Sequence, residues 1–164
     1  MTGRFIALIL LAIAAPSAAL AQPASVSVTL PDTSGAFEGS WTYRSFINDP
    51  NASVEPNNLL FGIAQVVIDE DDTGRITGTL GGSGWSLTIS GQAEYGQDAV
   101  TAKFQGTGMI GGEMWAYDYF AYLSPTWDNS IDQVPALIGA VVRTAPHGGA
   151  PAGFAAQFIA VKSP

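Results

Sequence analysis

Residues 113–123, Glu-Met-Trp-Ala-Tyr-Asp-Tyr-Phe-Ala-Tyr-Leu, place five aromatic rings in eleven positions, between Gly111-Gly112 and Ser124-Pro125. Aromatic and β-branched residues favour extended chain, and glycine and proline break it, so the stretch is expected to be one long central strand. Alternate side chains of a strand point to opposite faces. Trp115, Tyr117 and Tyr119 therefore share one face, and Met114, Asp118, Phe120 and Tyr122 share the other. Both faces carry rings. One must line a core or cavity and the other must meet a second layer or a partner; parity alone does not say which is which.

The rest of the chain has to suit such a strand. Further extended segments are expected at 38–47, 59–68, 75–80, 85–95, 99–106, 135–144 and 153–162, separated by turns rich in Gly, Asn, Asp and Pro. No segment combines helical periodicity with caps. About eight strands with mostly short links suit an all-β fold. An antiparallel up-and-down barrel is the first expectation, because closing the sheet removes exposed edges. A β-sandwich is the alternative. Two longer polar loops, 48–58 and 126–133, interrupt the pattern, the second carrying Trp127.

At the start, Arg4 is followed by the apolar run Phe5–Ala15, then Pro16 and the small-residue site Ala19-Leu20-Ala21. This is the pattern of a secretory signal over 1–21, with an apolar run short for a bilayer span, which needs about 20 residues. Residues 22–37 are expected to be a mobile leader or an edge strand, and 38–164 the folded domain. Secretion or a periplasmic location follows, with no membrane attachment after cleavage.

Composition narrows the chemistry. The chain has no cysteine, so neither disulfides nor thiolate metal sites are available. Six basic residues face fourteen acidic ones, which argues against nucleic acid, whose binding requires a basic surface. The acidic turn Asp69–Gly74 lacks the twelfth-position Glu of an EF-hand, since Leu80 stands there, and reads as a solvated hairpin turn. A single histidine cannot build a multi-histidine metal site, so no metal or other cofactor is expected.

The catalytic candidates are Asp118 and His147. His147 lies in Ala145-Pro146-His147-Gly148-Gly149, where a surface-loop role is the expectation, and general-base chemistry would need a carboxylate brought near by the fold. Asp118, between two tyrosines, needs a polar partner in a strand. One reading is a bracing ion pair with Arg44 or Arg143. The other is a ligand anchor among rings, or an acid/base of raised pKa in a barrel cyclase or isomerase.

Gly39-Ser40-Trp41 opens the first firm strand, and Ile76-Thr77-Gly78-Thr79 and Arg143 follow later. In these residues the chain resembles the calycins, the lipocalins and avidins. Gly39-Ser40-Trp41 looks like their G-x-W motif, and Ile76–Thr79 is similar to an avidin second-hairpin pattern. The resemblance implies a secreted eight-stranded barrel that binds a small, mostly apolar molecule at its mouth. It also implies that Arg143 packs over the first-strand tryptophan, as an arginine does in lipocalins. The chain departs from the lipocalins in lacking their C-terminal helix and disulfides, and the avidin ligand contacts cannot be matched. The expected function is binding of a small apolar or aromatic ligand by Trp41, Tyr43, Trp115, Tyr117 and Tyr119, with polar fixation by Arg44, Asp118 and Arg143. A structural homo-oligomer, burying outward rings between subunits, is a further expectation.

Overall fold

A computed structural model describes residues 35–96, 99–125, 127 and 129–164. The expected signal at 1–21 and nearly all of the leader lie outside the described residues. Eight strands follow one another: β1 (Gly39–Ile47), β2 (Leu60–Glu70), β3 (Arg75–Gly82), β4 (Trp85–Tyr95), β5 (Val100–Ile110), β6 (Glu113–Leu123), β7 (Ala136–Arg143) and β8 (Ala155–Lys162). Each pairs antiparallel with the next, and β8 returns to β1, so the sheet closes into an up-and-down barrel. The sandwich alternative is excluded by the β1–β8 ladder, in which Trp41 faces Lys162 and Ile47 faces Ala156.

Parity decides the inside. On β6 the buried positions are Tyr117, Tyr119 and Ala121, while Asp118, Phe120 and Tyr122 are exposed. On β1 the buried set is Trp41, Tyr43 and Ser45. Small residues make room for the rings: Gly106 of β5 lies against Tyr119 and Leu87, and Gly108 stands opposite Trp115. Alternation of small and large side chains is how a narrow barrel fills its interior. The same glycines explain why β5 runs on to Ile110 rather than stopping near 106. A glycine in a strand can mark close packing as well as a break. Gly111 and Gly112 form the actual turn, with positive φ at both positions (60° and 85°), as a tight hairpin of this hand requires.

One end of the barrel is plugged. Phe37 and Trp41 are fully buried there, and the Trp41 indole N–H donates to the Phe37 carbonyl at 2.8 Å. Lys162 Nζ stands 5.3 Å from the centre of the Trp41 ring. The cation over the first-strand tryptophan is therefore Lys162, and the expectation that Arg143 fills that place is corrected. Arg143 sits at the far end of β7, at the opposite mouth. Glu70 and Tyr95 hold the plug: Glu70 accepts from the Phe37 amide and from the Tyr95 hydroxyl, and the Ala36 amide donates to Tyr95. Burial, then the bond to Glu70, push the Tyr95 hydroxyl up to about 12.

The outer face is uneven. Across β3, β4 and β5 it carries the exposed side chains Thr77, Thr79, Thr88, Ser90, Gln92, Lys103 and Gln105. Phe120, Tyr122, Ile159 and Val161 form an exposed apolar area on β6 and β8.

Trp41→Ala should remove about 3–5 kcal/mol of stability through the cavity it leaves. Trp127→Ala, at a residue 60% exposed, should stay within about 0.5 kcal/mol. Urea unfolding of the two variants checks both.

Candidate functional site

The open end of the barrel holds a cavity of about 250 Å³, lined by rings from β1, β2, β4 and β6 and by the loop that follows β7. Its walls include Tyr43, Phe61, Trp85, Trp115, Tyr117 and Tyr119, and its polar groups include Ser45, Arg143 and His147. Trp115 and Tyr117 enter by the parity of β6. Arg143 enters by the parity of β7, which buries Leu137, Val141 and Arg143 in register.

Phe61 enters by a different route. The β1–β2 register slips between Ser45 and Phe46, so that Ser45 faces Gly62 and Phe46 faces Leu60. The unpaired residue is Phe61. Such bulges re-aim a side chain, and Phe61 packs in the mouth against Phe154 and Tyr117, at ring-centre distances of 5.1 and 6.4 Å. Single-residue slips leave no mark in an alternation pattern, and Phe61 was accordingly absent from the expected site.

His147 is a second departure. It is buried (6% exposed) rather than a surface-loop residue. His147 and Ala150 exchange both backbone hydrogen bonds around Gly148-Gly149, whose φ angles of 58° and 75° allow so tight a reversal. The Gly148 amide donates to Glu113 Oε2 at 2.7 Å and ties this turn to the start of β6. The imidazole is thereby laid on Trp115, with ring centres 4.1 Å apart, and its Nε2 is 2.8 Å from the Tyr117 hydroxyl. Nδ1 faces the Ala145 carbonyl at 3.3 Å, which assigns the proton to Nδ1 and makes Nε2 the acceptor from Tyr117. Burial lowers the His147 pKa, with the Arg143 charge adding to the effect and Glu113 opposing it.

The tyrosines of the cavity stay protonated. Burial raises Tyr43 and carries Tyr119 well above the usual phenol value. Burial also raises Tyr117, against the opposing pull of Arg143. The lining therefore contains one permanent cation and no carboxylate. Arg143 lies with its guanidinium carbon 5.9 Å from the Phe61 ring centre and 5.5 Å from that of Phe154, and Nη1 donates to the Pro151 carbonyl at 3.3 Å.

The other expected site residues go elsewhere. Trp41 is at the plugged end, remote from the mouth along β1. Arg44 and Asp118 are exposed on the outer face. Asp118 accepts a hydrogen bond from its cross-strand neighbour Gln105 at 2.9 Å, and among the described residues the sole ion pair is Lys103–Glu94, also outside. Neither the expected Asp118–arginine brace nor an Asp118 anchor inside the barrel is formed. Odd positions of β6 turn inward, and an even one cannot follow. Among the described residues no group of three or more His, Asp or Glu side chains is arranged to hold a metal.

Comparison with known proteins adds no family: no family model matches the chain, and no curated protein or solved structure is significantly similar to it. The barrel is read from its own ladders.

Two outcomes test these placements. Asp118→Asn should change stability by less than about 0.5 kcal/mol, as surface substitutions do, whereas a bracing ion pair would show a much larger loss in urea unfolding. His147 titrates below its ordinary 6.5 in the folded chain. Above that value both folded and unfolded chains hold it neutral. As the pH falls from 6.5 through the lowered folded value, the unfolded chain binds the proton first and stability is lost. His147→Gln should flatten that part of the stability–pH curve relative to the unsubstituted protein.

Proposed function

We propose that this protein is an exported, secreted or periplasmic, barrel that holds one small apolar or aromatic molecule in its open mouth. The observation that carries the reading is the ring-lined cavity itself. The barrel is filled with side chains from Phe37 to the Tyr43–Tyr119–Phe158 layer, and the filling stops where six rings surround open space. An apolar enclosure with a few polar groups is the usual form of a small-molecule site. Its volume suits a compact ligand, since about 150 Å³ already holds a benzene. Kinship with the calycins is supported by Trp41 at the plugged end beneath a cation, here Lys162.

A second reading, a barrel cyclase or isomerase, draws on the Tyr117–His147 hydrogen bond inside the cavity. His147 with Tyr117, rather than the exposed Asp118, would then carry the proton. Self-association is favoured by one feature, the exposed Phe120, Tyr122 and Ile159 area, and belongs to the outside of the barrel.

Titration with small aromatic compounds should quench tryptophan emission saturably, because Trp85 and Trp115 line the cavity, and Trp115→Ala should weaken that response. A panel with no saturable member contradicts the reading. Recovery of the bound compound unchanged after long incubation supports binding over turnover; a changed compound supports the enzyme.

A further inference from the structure

Two hydrogen-bond donors in the cavity wall are buried and meet no acceptor in the protein: the Trp115 indole N–H and the Arg143 Nε–H. Arg143 as a residue is only 9% exposed. A buried charge is costly unless it is paired and hydrogen-bonded. The surroundings of Arg143 meet that need in part, through the Pro151 carbonyl and the faces of Phe61 and Phe154. None of these is an anion. Glu113, at the mouth, accepts at Oε2 from the Gly148 amide. His147 Nε2 already accepts from Tyr117, so it offers Arg143 nothing further.

The residues that line the site therefore hold one fixed positive charge, a covered and unmet N–H on that charge, and a second covered and unmet N–H on Trp115, all among apolar rings. We propose that the ligand is a small organic carboxylate with an aromatic or short apolar body, its carboxylate taken by Arg143 and Trp115. The inference rests on the binding function proposed above and names its ligand class. Nε lies on the side edge of the guanidinium, an edge used for two-point contact with a carboxylate, and such charge-assisted bonds are the strongest of their kind. The carboxylate leaves Nη1 on Pro151, and its body occupies the space among Phe61, Trp85, Trp115 and Tyr119. A volume of about 250 Å³ accommodates one ring and a short acidic arm, because a benzene alone needs about 150 Å³.

Isothermal titration calorimetry of the mature protein at pH 7 tests this, with phenylacetate and benzoate against their neutral amides and against acetate. The acids should bind roughly tenfold or more tightly than the amides, the ratio expected when a charge-assisted pair replaces neutral hydrogen bonds. Acetate should bind far more weakly than phenylacetate, since the ring supplies the apolar contact. Arg143→Met should abolish the preference for the acid, phenylacetate losing roughly tenfold or more affinity beyond what phenylacetamide loses. Trp115→Phe keeps the ring and removes the N–H; it should weaken phenylacetate several-fold and serves if Arg143→Met does not fold.

Equal affinity for acids and amides overturns the carboxylate inference and leaves the binding function standing. So does an acid preference that survives Arg143→Met, or acetate binding as tight as that of phenylacetate, which would mark a site for any small anion. Failure of both acids and amides to bind overturns the inference and the binding function together.

Discussion

The β1–β8 ladder is the contact on which the rest depends. Without it, the sheet is an open ribbon whose ring-bearing face has nothing to lie against. With it, eight strands share one interior, and a single rule of alternation places Trp41, Tyr43, Trp115, Tyr117, Tyr119 and Phe158 inside together. Closure also settles the edge problem, since no strand of the cylinder is left with unpaired backbone on both sides of solvent. A chain without cysteine has no covalent brace, so its fixity comes from this packing and from the ladders.

The two ends of the cylinder are built on opposite principles. At the plugged end each polar group has a protein partner: the Trp41 indole on Phe37, Glu70 on Phe37 and Tyr95, and Lys162 on the face of Trp41. At the open end the polar groups outnumber their partners, with Trp115 Nε1 and Arg143 Nε unmet among rings. Proteins seldom leave buried donors unused. Their place among the residues that line the cavity at the open mouth is the physical basis for proposing a binding site there, and their shared character as donors is what the proposed acceptor-bearing, anionic ligand would answer.

Much of this was legible in the sequence, and the remainder failed for identifiable reasons. Period-two alternation in β1 and β6 is enough to group Trp41 with Tyr43, and Trp115 with Tyr117 and Tyr119. The breakers at Gly111-Gly112 and Ser124-Pro125 bounded β6 at its observed ends. Which face turned inward was not legible, because rings stand on both. Closure decides it, and so sends Asp118 and Arg44 outside. Phe61 was hidden by a one-residue bulge. His147 was hidden because its burial depends on a Gly-Gly reversal tied to Glu113, a contact 35 positions away in sequence. Lys162 was overlooked over Trp41 because the cation comes from the closing strand, whose partner is known only once the cylinder is closed.

If the unmet donors at the mouth are the proposed ligand's contacts, nuclear magnetic resonance of the indole and guanidinium N–H signals during titration with phenylacetate will report it. The Trp115 Nε1–H and Arg143 Nε–H resonances should move together and saturate at one ligand, while those of Trp41, held by Phe37, and of Trp127, outside the barrel, stay in place. Movement confined to Trp127, or no movement at Trp115 and Arg143 under saturating ligand, would rule these donors out as the contacts.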